Sequence, residues 1–107
     1  MTAFLDDEQV TLSLEIAAQL VARGETVAVA ESTTGGLISA ALLSVAGASR
    51  YYAGGGVVYT LYSRTALAGV PAEQYADYRG TTPEMLASLA ESMRGNLRNF
   101  ETREMAI

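Results

Sequence analysis

A carboxylate, three hydroxyls and two glycines stand in one unbroken run, Glu31-Ser32-Thr33-Thr34-Gly35-Gly36. A serine becomes a nucleophile for acyl transfer once a neighbouring group takes its proton. Hydroxyls hydrogen-bond polar substrates, and glycines let a ligand lie against the backbone. A helix that opens at such a run turns unpartnered N–H groups and the positive end of its dipole toward an anion. The run therefore reads as a site for a small polar or anionic ligand. Arg64 offers a fixed positive charge with a planar fork suited to phosphate or carboxylate. Gly55 and Gly56, inside the run Gly54-Gly55-Gly56, weaken a strand unless something must approach its backbone closely.

Each feature also has a plainer reading. Ser and Thr ahead of a helix are common N-caps, and the run does not match the G-x-x-x-x-G-K-[ST] phosphate loop. The three glycines read equally as a bulge, Tyr59 and Tyr62 as packing residues, and Arg64 as a solvated surface group. Glu31 is harder to set aside. It follows Val27-Ala28-Val29-Ala30, and a carboxylate at the end of a buried strand needs a partner.

Composition narrows the chemistry further. The 107 residues contain neither Cys nor His, and all seven basic residues are arginines. Thiolate nucleophiles, zinc-cysteine sites and the commonest general base are thereby excluded, as is a Ser-His-Asp triad or Ser-Lys dyad within one copy. No metal or cofactor is expected. The net charge of −5 and the scattered arginines argue against nucleic acid as a partner, because duplex binding relies on neutralising phosphates. The acidic N-terminal stretch is no signal peptide. No apolar run approaches the ~18 residues of a membrane span. A cytoplasmic protein without membrane contact is expected, and the small size suggests a homo-oligomer.

The elements that must carry the site follow from periodicity. Asp6 or Asp7 caps a helix with an inward stripe of Val10, Leu14, Ala17 and Val21, stopped by Gly24. Thr26–Ala30, apolar on both faces, reads as a central buried strand. A second helix opens at Gly35-Gly36, buries Leu37, Ile38, Ala41, Leu42 and Val45, and ends at Gly47. Tyr51–Tyr59 reads as a second strand and Ser63–Ala68 as a short helix. Val70–Gly80, with Pro71 and two tyrosines, reads as a loop. Thr82-Pro83 starts a last helix with the stripe Leu86, Leu89, Met93 and Leu97. Residues 101–107 show no clean periodicity. Strands alternating with helices predict a single α/β domain over residues 1–107, layered α/β/α around a small mixed sheet. Two strands are too few to make such a sheet.

The run Ala30-Glu31-Ser32-Thr33-Thr34-Gly35-Gly36-Leu37-Ile38 resembles the A-E-S-x-T-G-G signature of the CinA C-terminal domain family. The likeness continues through Gly47-Ala48-Ser49-Arg50-Tyr51-Tyr52, Gly55-Gly56-Val57-Val58-Tyr59-Thr60 and Leu67-Ala68-Gly69-Val70. The best-known members are nicotinamide-nucleotide amidohydrolases, which convert nicotinamide mononucleotide to nicotinic acid mononucleotide and ammonia. The resemblance implies that Ser32 is the nucleophile, assisted by Tyr59 and Arg64. It also implies a substrate held by Glu31, Thr33, Thr34, Gly35, Gly36, Gly55 and Gly56. Arg64 stands where the family has a lysine, keeping the charge but not releasing a proton. Leu61 stands where an asparagine is usual. The family's second half, with its G-I-A-G-P-like loop, is not in the sequence, so an incomplete domain of this type is expected. Two other readings stay open: a nucleotide- or phosphate-binding module without turnover, and an assembly subunit completed by another chain.

Overall fold

The central strand β1 (Glu25–Glu31) shows how the layers arise. Side chains alternate across a strand, so Val27 and Val29 pack on one face with Ala17, Leu20, Leu42, Ala48 and Tyr51. Ala28 and Ala30 take the other face with Val58, Val70, Leu89 and Met93. The computed structural model describes residues 5–74, 82–98 and 103–107.

Helices α1 (Asp7–Arg23) and α2 (Leu37–Leu43) cover the first face. The short α3 (Leu61–Ala66) and the longer α4 (Pro83–Asn96) flank the second. Between these helices lie β2 (Tyr52–Val57) and β3 (Arg103–Ala106), in the sheet order β2-β1-β3. Both pairings are parallel. The layered α/β architecture expected from sequence is present. The sheet among the described residues is parallel rather than mixed, because helices carry the chain back between successive strands.

β3 occupies part of the stretch that shows no periodicity. It pairs Glu25 with Arg103, Thr26 with Glu104, Val27 with Met105 and Ala28 with Ala106. The ladder continues past the strand: Ile107 N–H donates to the Ala28 carbonyl at 3.0 Å, and Ala30 N–H donates to that of Ile107 at 2.8 Å. Two strands are expected from the sequence, and the third supplies the missing flank of β1.

Local signals explain most boundaries. Asp6 accepts the Gln9 N–H at 2.8 Å while the Gln9 side chain accepts the Asp6 N–H at 3.0 Å, a reciprocal cap worth about 1 kcal/mol. Gly24 ends α1 with φ +63°. Thr60 caps α3 by accepting the Ser63 N–H, and Thr82 caps α4 by accepting the Met85 N–H. Helix α3 therefore starts two residues earlier than expected. The expected loop over Val70–Gly80 lies beyond residue 74 outside the described residues.

The expected helix stripes are displaced. Leu14 is 53% exposed and Leu86 is 40% exposed. The faces actually buried are Ser13, Ala17 and Leu20 on α1 and Met85, Leu89, Ala90 and Met93 on α4. Ser13 tolerates burial because its hydroxyl donates to the Gln9 carbonyl one turn back at 2.7 Å. Leu37, expected inside, is also exposed.

Candidate functional site

The alternation that buries Val27 and Val29 also aims Glu31 at α2. Its Oε1 accepts the Thr34 hydroxyl at 2.8 Å and the Ile38 N–H at 2.9 Å. Its Oε2 accepts the Ser39 N–H at 3.0 Å. The partner that a buried carboxylate needs is thus the opening of α2. The N–H groups that the sequence offers to an outside anion are partly taken by the chain's own glutamate.

Between Glu31 and α2 the loop is tightly turned. Gly35 N–H donates to the Ser32 carbonyl and Leu37 N–H to that of Thr34. Gly35 and Gly36 adopt φ of +60° and +98°, a region open to glycine and costly for other residues. These two glycines therefore shape the turn. Ser32 is only 6% exposed, whereas Thr33 and Thr34 are exposed.

Beside this loop, at the carboxyl end of β1, lies a cleft of about 200 Å³. Glu31, Ser32, Thr33 and Thr34 line it together with Ala30, Ile38, Leu86 and Ile107. In open α/β sheets, ligands bind beyond the carboxyl ends of the strands, and the cleft has that position. Sequence reasoning missed the contributions of Leu86 and Ile107. Leu86 is expected in the core, and its exposure is what frees it to form a wall.

Tyr59 reaches the same end of the sheet by another route. The Val58 N–H donates to the Glu31 carbonyl at 2.7 Å, so Ser32 and Tyr59 leave the sheet from adjacent strand ends. Tyr59 is 66% exposed, which sets aside its plainer reading as a packing residue. Arg64, on α3, is 2% exposed, which likewise sets aside the solvated-surface reading. Neither residue lines the cleft beside Ser32.

Gly55 and Gly56 stand apart from the cleft, and protein atoms account for them. A Cβ on Gly55 would lie 2.6 Å from the Val29 carbonyl oxygen and 2.8 Å from Tyr52 Oη. On Gly56 it would lie 3.5 Å from Met93 Cε. The close approach inferred from these glycines is that of neighbouring strand, tyrosine and helix.

The electrostatics of Glu31 give a test of this geometry. Burial is the largest single influence and raises its pKa. The N–H groups of Ser39 and Ile38 and the side chains of Thr34 and Ser39 together outweigh it, holding the carboxyl below its ordinary value of 4.5. The folded state thus binds this proton less readily than the unfolded chain. The resulting stability is complete above the ordinary value and is lost as pH falls through the folded one. Chemical unfolding at a series of pH values below about 4.5 is expected to show a shallower loss of stability for Glu31→Gln than for the parent protein.

The fold and this loop define an α/β domain that carries a serine at the carboxyl end of its central parallel strand. Residues 9–100 match the model of the CinA C-terminal domain, and the chain belongs to that family. It is 44% identical over 84 residues to a CinA-like protein of Acidobacterium capsulatum, covering 78% of this chain and 20% of that protein. Among solved structures, it is similar to the competence/damage inducible protein CihA from Agrobacterium tumefaciens. That match has a TM-score of 0.78 at 27% identity and covers 85% of this chain and 55% of the other. The competence damage-inducible protein A (ComA) of Klebsiella pneumoniae matches with a TM-score of 0.76 at 27% identity, over 82% and 55% of the two chains. The chain thus spans about a fifth of the curated relatives' length and about half of the solved chains. Among the described residues no helix is long and apolar enough to cross a membrane.

Proposed function

We propose that the chain carries the serine loop of a CinA-type amidohydrolase that deamidates a pyridine nucleotide, nicotinamide mononucleotide being the model substrate. The observation that carries this reading is the placement of Ser32 in a fixed loop beside a cleft at the carboxyl end of β1. Ser32 Oγ attacks the carboxamide carbon, ammonia leaves with the serine proton, and water then cleaves the acyl ester to give the carboxylate. Loop N–H groups stabilise the developing oxyanion. Ligand pockets commonly measure roughly 300–1,000 Å³. The smaller cleft here suits the carboxamide-bearing ring, with the ribose phosphate lying outside it. Tyr59 assists from the neighbouring strand end, and Arg64 adds a permanent positive charge. Arg64 does not take the serine proton, since a guanidinium stays protonated.

Incubation of the protein with nicotinamide mononucleotide is expected to release ammonia and nicotinic acid mononucleotide in equal amounts. Release no faster than in a protein-free blank would remove the amidase reading for that substrate. One observation favours a second reading, a nucleotide-binding module without turnover: the chain has no His and no Lys, and the residue five positions after Tyr59 is an arginine. Under that reading, titration calorimetry with the same mononucleotide gives heat while no ammonia forms.

A further inference from the structure

The sequence groups Glu31 with the substrate-binding residues, but its side chain is engaged elsewhere. Glu31 is 2% exposed. One oxygen receives two protein donors and the other receives a third. An ionised carboxylate offers about four acceptor sites, so little of Glu31 is left for a substrate. The three donors lie on both sides of the turn. Thr34 is within the loop, while Ile38 and Ser39 are in the first turn of α2. Ser39 is anchored in addition from the sheet, its Oγ accepting the Tyr52 hydroxyl at 2.8 Å.

We infer that Glu31 is a positioning residue for Ser32: its carboxylate clamps loop 32–36 between the end of β1 and the start of α2, so that the adjacent serine is held at the cleft. The inference rests on the amidase reading above for its kinetic consequence, and on the hydrogen bonds alone for its structural one. The loop's two positive-φ glycines leave Ser32 many alternatives once the clamp is released. A glutamine at 31 keeps one acceptor oxygen and turns an NH₂ group toward a backbone donor, so at least one of the three bonds is lost.

The test uses Glu31→Gln in the whole chain. Deamidation of nicotinamide mononucleotide is followed together with amide hydrogen exchange. Turnover (kcat) is expected to fall about 100-fold with KM changed by less than about 3-fold, because misplacement of a reacting group by about 1 Å costs that much. Exchange of the Ile38 and Ser39 amides, which Glu31 accepts, and of the Gly35 amide bonded inside the loop is expected to quicken about 10-fold, as released amides reach solvent, while Val27 and Val29 stay protected. A raised KM with unchanged kcat would overturn the inference in favour of direct substrate contact. A lowered thermal midpoint with unchanged kcat and loop exchange would overturn it in favour of a scaffold role. If the parent protein shows no turnover, the amidase reading falls alone. The clamp is then decided by the loop amides, whose unchanged exchange in Glu31→Gln would sink it. Should Glu31→Gln not fold, Thr34→Val removes the bond inside the loop and leaves the carboxylate its two backbone donors. It is expected to lower kcat about 10-fold and to quicken exchange of the Gly35 amide inside the loop while the Ile38 and Ser39 amides stay protected, the effect of losing one of several positioning bonds, and unchanged kcat and exchange would overturn the clamp.

Discussion

Ser32→Ala is expected to bring ammonia release from nicotinamide mononucleotide down to the blank, a loss of at least about 1,000-fold for removal of a covalent nucleophile. The fold should not notice. The loop's internal bond uses the Ser32 carbonyl, which accepts the Gly35 N–H, and alanine keeps that carbonyl. The neighbouring clamp uses Glu31, Thr34, Ile38 and Ser39, none of which is altered. A thermal midpoint within about 2 °C of the parent is therefore expected, in keeping with the small effect of substitutions that remove no packing or bonding partner. Mononucleotide binding by calorimetry should persist in the variant, since the cleft walls Ile38, Leu86 and Ile107 remain. Turnover by Ser32→Ala within about 10-fold of the parent would show that water attacks the amide directly and would end the acyl-enzyme mechanism. Loss of binding along with turnover would instead place Ser32 among the groups that hold the ligand.

Much of this site could be read in the sequence because its signals are local. A glycine pair after a β-branched run, an acid at the strand's end and hydroxyls between them mark the loop. The strand's own alternation fixes which way Glu31 points. The sequence left Glu31's partner open, because Ile38 and Ser39 contribute backbone N–H groups, which every residue but proline carries. β3 was hidden for a related reason. Its first two residues, Arg103 and Glu104, face the polar start of β1 at Glu25 and Thr26. Backbone pairing to a buried strand places that segment without an apolar pattern.

The helix stripes misled by one position where chemistry and period disagree. A leucine at 14 outranks a serine at 13 on any hydropathy scale, yet the serine satisfies its hydroxyl on its own helix and packs inside. Met85 takes the inward place beside Leu89 that Leu86 is expected to fill. Arg64 shows the converse. A lone arginine reads as surface, whereas here it is a buried residue of a helix too short to shield it by itself. Only the tertiary arrangement reveals that.

The run Gly54-Gly55-Gly56 reads as three equivalent residues, and the structure makes two of them very unequal. Neither Gly55 nor Gly56 has a positive φ among the described residues, so alanine meets no backbone strain at either. The difference lies in what a Cβ meets. At Gly55 it falls 2.6 Å from the Val29 carbonyl oxygen, 2.8 Å from Tyr52 Oη and 3.2 Å from Val29 Cβ. Two of these atoms belong to the central strand, which cannot give way without disturbing its pairing on both sides. At Gly56 the nearest atom is the end of a flexible methionine at 3.5 Å, an ordinary contact. Overpacking a tight site costs about 1–3 kcal/mol and more where backbone must move. Gly55→Ala is therefore expected to lose about 3 kcal/mol, a fall of roughly 15 °C in Tm for a domain of this size. Gly56→Ala should stay within about 0.5 kcal/mol. Chemical and thermal unfolding of the two variants side by side checks the contrast, and equal losses would show that the Val29–Gly55 approach is not what demands glycine. The consequence extends to the serine loop. Displacing Tyr52 Oη removes its bond to Ser39 Oγ, on the residue whose N–H holds Glu31. Gly55→Ala should accordingly quicken exchange of the Ser39 amide more than Gly56→Ala does, joining the glycine strand to the clamp behind Ser32.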